Sequence, residues 1–221
     1  MWSDVAARYA RDGWVNAGPI LDEGEIAALR EGVDQVIDDC VRRARYPSRE
    51  ACLRIVQLWH DPWRVAPAYA ALRRHPVLAD LGRTVLDAPS VRVATQRLIL
   101  KPPRGCSPLP WHQDQAGWPI ATPRGVAIWL ALDDVDGESG GLRYRTGSHR
   151  SGTAGDPVDG VVRAGEALLH HAQTWHASTS NRSDRWRRAC ILLLVDARVP
   201  PREGAWDAVA HPVVDVPRCR A

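Results

Sequence analysis

Apolar and polar positions along the chain change their period once, near residue 89. Before that point the apolar residues recur every three or four positions. Residues 3–12 predict a short helix that begins at Ser3 and stops at Gly13. A second helix begins near Asp22, with Glu25 at the spacing of a capping box. Its stripe of Ile26, Leu29, Val33, Val36, Ile37, Cys40 and Val41 follows a helical period. Asp61-Pro62 predicts the start of a third helical stretch, since Pro is tolerated in a first turn. A fourth runs from Pro76 to about Leu86.

Beyond Pro89 the apolar residues alternate or gather in short runs. SVRVATQRLILK (90–101), GVAIWLAL (125–132), LRYR (142–145), GEALLHH (165–171) and RACILLLV (188–195) are separated by Gly, Pro, Asp and Ser. That spacing predicts antiparallel strands in a sandwich or barrel. No internal repeat or linker divides the chain. The expectation is one domain over 1–221: helical support over 1–88, a β core over 89–198 and a C-terminal extension over 199–221.

Composition sharpens this picture only in places. At 221 residues the chain has the length of one domain. Gly and Pro number 17 each, too few for a low-complexity or collagenous chain. The net charge of +3 gives neither a nucleic-acid footprint nor a polybasic membrane anchor. Lys101 is the only lysine, Phe is absent and Met occurs once, a pattern of codon bias in a G+C-rich genome. Five cysteines without a CxxC pair predict a reduced, cytoplasmic chain. The first residues carry no apolar segment of a secretion signal, and no apolar run approaches a membrane span.

The chemistry lies in two stretches. In Trp111-His112-Gln113-Asp114, an extended backbone turns His112 and Asp114 to the same side. Alone this says little, because chance supplies about 0.7 HxD matches in a chain of this composition. The second stretch runs from His170-His171 through His176 to Arg187. Its Ser, Asn and Asp cluster predicts a turn. A hairpin centred near residues 181–182 would set His176 opposite Arg187. His171 and His176 could alternatively pair as HxxxxH. A third stretch, Asp136 to His149, has glycines suited to tight turns and reads as scaffold.

Two histidines and one carboxylate on one face form the facial triad of non-haem Fe(II) oxygenases. Three protein donors leave three adjacent positions on a six-coordinate ferrous ion. A 2-oxo acid can chelate through two of them, and O2 can take the third. The far carboxylate of such a cosubstrate suits a planar guanidinium, and Arg187 is the candidate.

In these residues the chain resembles the phytanoyl-CoA dioxygenase family of Fe(II)/2-oxoglutarate oxygenases. The resemblance begins at Arg11-Asp-Gly13-Trp-Val and continues through Leu100-Lys101-Pro102-Pro103 and Trp111-His-Gln-Asp114. It goes on through Ala127-Ile-Trp129-Leu-Ala-Leu-Asp133-Asp134, Gly140-Gly-Leu and Gly147-Ser-His149-Arg. It closes on His176-Ala-Ser178, Asn181, Ser183 and Arg187-Arg-Ala. The resemblance implies a double-stranded β-helix (jelly roll, cupin-like) behind a helical N-terminal third. It implies iron on His112, Asp114 and His176, and 2-oxoglutarate held by Arg187, Ser178, Trp129 and Arg54. The family's halogenating cousins lack the carboxylate, so Asp114 implies hydroxylation or another oxidative step. A substrate pocket is expected around Gln115, Trp118, Arg97 and His171. Modest segments at 102–110 and 150–160 are the expected lids, too small for a bulky CoA-linked substrate. A small molecule of specialised metabolism, such as an antibiotic precursor, is the expected substrate. Two other classes stay open on the residues alone: a jelly-roll hydrolase or isomerase using Zn(II) or Mn(II), and a non-catalytic small-molecule-binding jelly roll.

Overall fold

The computed structural model describes residues 2–203 except 44, 46, 54–56, 105–107 and 153–154. Arg54, parts of both expected lids and the C-terminal extension from residue 204 therefore lie outside the described residues. The chain runs α1 (Ser3–Asp12), β1 (Trp14–Pro19), α2 (Glu23–Arg42), α3 (Arg49–Leu53), β2 (Gln57–His60), α4 (Pro67–Leu72), α5 (Pro76–Leu86) and β3 (Val91–Lys101). It continues through β4 (Leu109–His112), β5 (Gly125–Ala131), β6 (Leu142–Tyr144), α6 (Ser148–Ser151), β7 (Val158–Gly160), β8 (Glu166–His171), β9 (His176–Ser178) and β10 (Arg187–Asp196).

Helix α2 starts as its sequence dictates. The Asp22 side chain accepts from the Glu25 amide at 2.8 Å, and Glu25 accepts from the Asp22 amide at 3.0 Å. The predicted stripe is buried from Ile26 to Cys40, while Val41 is half-buried. Helix α1 ends where Gly13 takes the left-handed conformation, φ 78°. A Cβ there would overlap His149 and Thr174, so this close approach requires glycine. The third helical stretch is shorter than expected. Pro62–Arg64 make one 3-10 turn, and a new helix begins only at Pro67. Ala66, extended at φ −114° and ψ 119° before Pro67, breaks the run.

Among the described residues, ten strands form two antiparallel sheets, ordered β1-β8-β5-β10-β3-β2 and β4-β9-β6-β7. This is a jelly roll behind a helical N-terminal segment. The N-terminal third is not only helical support: it supplies β1 and β2, the two edges of the larger sheet. Alternation along the central strands decides which residues face which layer. Leu98, Leu100, Ile128, Leu130, Cys190, Leu192 and Leu194 pack with the helices in the main core. Their neighbours Trp129, Ala131 and Ala189 turn inward, meeting Leu142 and Tyr144 of the small sheet. Rising and falling burial along β3 follows the same period of two.

Candidate active site

Strand β4 ends at His112, and one extended residue, Gln113, leads into a 3-10 turn that starts at Asp114. The extended link keeps His112 and Asp114 on one side, as predicted. His176 opens β9 directly opposite His112, and the two imidazoles lie 4.2 Å apart, centroid to centroid. Asp114 Oδ1 is 3.5 Å from His112 Nε2 and 3.7 Å from His176 Nε2. One donor atom from each of the three residues falls within 4.8 Å of the others.

Backbone hydrogen bonds fix what these atoms can do. His112 Nδ1 donates to the Pro110 carbonyl and His176 Nδ1 to the Thr174 carbonyl, both at 2.9 Å. With Nδ1 held by a carbonyl, each ring turns its Nε2 toward the Asp114 carboxylate. Burial drives the His176 pKa down to about 3, keeping that ring neutral. His112 is held above its ordinary value by the Asp114 carboxylate, against the opposing effect of burial. Burial alone would raise Asp114, but hydrogen bonds from His112 and His170 outweigh it and hold the carboxyl well below the ordinary range. Two imidazole Nε2 atoms and a carboxylate oxygen converge there, and a cation can take the place of the proton that His112 shares with Asp114. Their nitrogen and oxygen chemistry suits ferrous iron.

Beside this cluster lies a second one. His176 and Ser178 share one face of β9, two residues apart, about 7 Å along the strand. The Ser178 hydroxyl accepts from Lys101 Nζ at 2.8 Å, and Lys101 donates a further hydrogen bond to the Thr179 carbonyl. Lys101 stands directly opposite Arg187 across β3 and β10. Both cations are 1% exposed. The Arg187 guanidinium lies 5.4 Å from the Trp129 ring centroid. Two like charges in direct cross-strand register repel one another, and burial deprives them of water. A buried lysine and arginine side by side make sense as the socket of an anion.

The structure brings together His112, Asp114 and His176, and gathers Arg187, Ser178 and Trp129 next to them. The route differs from the predicted hairpin. His176 pairs with His112 and Tyr144, not with Arg187. Residues 179–186 instead carry the chain from the small sheet to the large one. Asn181 pins this crossing by donating to the Lys101, Pro102 and Arg185 carbonyls. Of the expected pocket residues, Arg97 faces inward on β3, opposite Ile191 and next to His60. Gln115 follows Asp114, with its side-chain oxygen buried. Trp118 is a core residue, packed on Ile120, Ala127, Leu193 and Val195. His171 points the other way, toward Tyr9 and His149, because odd and even positions of β8 face opposite layers. The HxxxxH pairing fails for the same reason.

Sequence reasoning passed over Lys101, His170 and Tyr144. Lys101 is the only lysine and falls at the inward-facing end of β3, which was signal enough. His170 follows the parity of buried Leu168, so of the two adjacent histidines it is the inward one.

A jelly roll whose interior joins a two-histidine, one-aspartate cluster to a buried Lys–Arg pair defines a class: oxygenases that hold ferrous iron and a 2-oxo diacid. The chain belongs to the phytanoyl-CoA dioxygenase family, whose profile matches residues 9–189. L-proline trans-4-hydroxylase of Streptomyces griseoviridis is 27% identical over 95% of this chain and 89% of its own. Ectoine dioxygenase of Bordetella parapertussis is 25% identical over 91% of this chain and 79% of its own. The crystal structure of SnoN, a non-haem α-ketoglutarate-dependent epimerase from nogalamycin biosynthesis, matches with a TM-score of 0.76 at 25% identity, covering 99% of this chain and 95% of that one. SnoN has also been crystallised with Fe3+ and α-ketoglutarate. This chain is an Fe(II)/2-oxoglutarate-dependent dioxygenase.

Proposed function

We propose that the enzyme hydroxylates an unactivated C–H bond of a small metabolite, in the tailoring of a specialised product such as an antibiotic. In that reaction one oxygen atom of O2 enters the substrate and the other enters succinate. 2-Oxoglutarate loses CO2 and supplies the two electrons that balance the step. Bound iron supplies the chemistry that activates O2. His112, Asp114 and His176 would hold it, with the cosubstrate and oxygen meeting it from the open side of the cluster. Arg187 and Lys101, with the Ser178 hydroxyl, grip the far carboxylate of 2-oxoglutarate, and Trp129 walls it in. Arg97 and Gln115 face the substrate, which the protein orients while excluding water.

The observation that carries this reading is the convergence of His112, Asp114 and His176 in one interior with two buried cations in register. A hydrolase using the same metal ligands has no need for that second cluster. Hydroxylation is supported by the likeness to the proline hydroxylase, and a specialised metabolite by the likeness to the nogalamycin enzyme. Cys40, Cys52 and Cys190 are buried and outside any disulfide, which suits the cytoplasm. No described helix is long and apolar enough to cross a membrane. Small molecules, not nucleic acids or lipid surfaces, are the proposed partners.

Anaerobic addition of Fe(II) and then 2-oxoglutarate tests the reading. A weak visible charge-transfer band should appear, and candidate metabolites, L-proline among them, should be screened for stimulated succinate release in air. Absence of the band would remove the oxygenase reading. Stimulation by fatty acyl-CoA compounds alone would remove the proposed substrate class.

A further inference from the structure

His170 is 3% exposed, yet it carries two polar ring atoms in the protein interior. Its Nε2 lies 3.2 Å from Asp114 Oδ2, and its Nδ1 lies 3.2 Å from the Tyr144 hydroxyl. The ionised carboxylate can only accept, so Nε2 must carry the proton that it donates to Oδ2. On the other side of the ring, Nδ1 meets the Tyr144 hydroxyl. The chain Tyr144–His170–Asp114 thus occupies both polar atoms of the His170 ring. Tyr144 is itself immobile, with no exposure and its ring stacked 4.6 Å from Trp14. Across β6 and β9 it pairs directly with His176, so one residue braces both sides of the cluster.

The two oxygens of Asp114 are thereby given separate tasks. Oδ1 faces His112 and His176, while Oδ2 is tied to His170. His170 is not in the set of atoms that converge for a cation, although its ring lies 4.4 Å from that of His176. We infer that His170, held by Tyr144, is a positioning residue that keeps Asp114 a one-oxygen metal ligand and so preserves the third open position for O2. A carboxylate free to swing could offer both oxygens and fill that position itself. The inference rests on the ferrous reading of the site given above.

The experiment uses the full chain and Co(II) as an oxygen-stable probe, followed spectroscopically, with His170→Phe, His170→Gln and Tyr144→Phe. Phe keeps the apolar bulk of His170 but removes both hydrogen bonds, and Co(II) should bind about 10–100-fold more weakly. Gln keeps a donor and should recover part of that loss. Tyr144→Phe keeps the Trp14 stack and should weaken binding several-fold. In His170→Phe the anaerobic Fe(II)–2-oxoglutarate band should shift, and the KM for O2 should rise several-fold, which a merely structural role would not produce. Thermal unfolding of each metal-free variant identifies any that fail to fold, and His170→Gln then decides alone. Co(II) affinity within twofold of wild type for both His170→Phe and Tyr144→Phe would overturn the inference. So would a Co(II) spectrum showing the loss of one nitrogen donor in His170→Phe, because His170 would then be a ligand. A wild-type protein that binds neither Co(II) nor Fe(II) would instead refute the ferrous reading itself.

Discussion

Lys101 shows how much one side chain decides here. Its hydrogen bond to Ser178 and its register with Arg187 put a second positive charge where the cosubstrate carboxylate is proposed to sit. A charge-assisted hydrogen bond is worth about 1.5–3 kcal/mol, roughly 10–100-fold in affinity. Lys101→Met should therefore raise the KM for 2-oxoglutarate by at least tenfold and leave metal affinity near wild type, as read by steady-state succinate formation and Co(II) titration. An unchanged KM would show that Arg187 grips the diacid without help. At this scale the sequence was legible where chemistry and spacing coincide. His112 and Asp114 declared themselves by an extended i, i+2 pair, and His176 and Arg187 by residue type. The inward choice between His170 and His171 was not legible, because it depends on the phase of β8 against the core. That phase is set by Leu168 and Leu169 packing into different layers, and both leucines read alike in a purely apolar run. Trp118 misled for a related reason: a large aromatic near a motif is more often core than lining.

Among elements, length and periodicity governed what could be read. Helix α2 and strands β3, β5, β8 and β10 were all visible, because each repeats its apolar pattern over several turns or pleats. Most strands left unread were short, and six-residue β1 breaks its alternation with a register shift between Asn16 and Gly18. β9 has three residues, and β4 contains a proline among four. Their extended state comes from pairing with neighbours far away in sequence, which no local pattern encodes. The expected hairpin failed at the same scale, since a turn-rich segment reads alike whether it returns to its own sheet or crosses to another. The α2 capping box offers a clean test of a local rule. Asp22→Ala removes one of its two reciprocal hydrogen bonds and should cost about 1 kcal/mol. Urea unfolding should show a lower midpoint at unchanged slope. Affinity for 2-oxoglutarate should not move, because the box lies on the helical layer. A change in cosubstrate affinity would mean that the helices do more than support the large sheet.

For the molecule as a whole, the proposed cosubstrate site joins the two sheets. Lys101 and Arg187 belong to the six-stranded sheet, and Ser178 to the four-stranded one, with the metal ligands His112 and His176. A diacid chelated at the metal and gripped by the cations would tie one layer to the other, whereas the metal alone would touch only the small sheet and its adjoining turn. Binding to the native state alone stabilises by about 2.7 kcal/mol at a ligand concentration of 100 Kd. For a chain of this size that amounts to roughly 5–10 °C in Tm. With Co(II) in place of iron, so that no turnover occurs, saturating 2-oxoglutarate should raise Tm by that amount. A 2-oxo monoacid such as pyruvate can chelate but has no second carboxylate for Lys101 and Arg187, so it should raise Tm far less at the same concentration. Arg187→Ala should erase the difference between the two ligands. If pyruvate matched 2-oxoglutarate in the wild-type protein, the second carboxylate would find no partner in this interior.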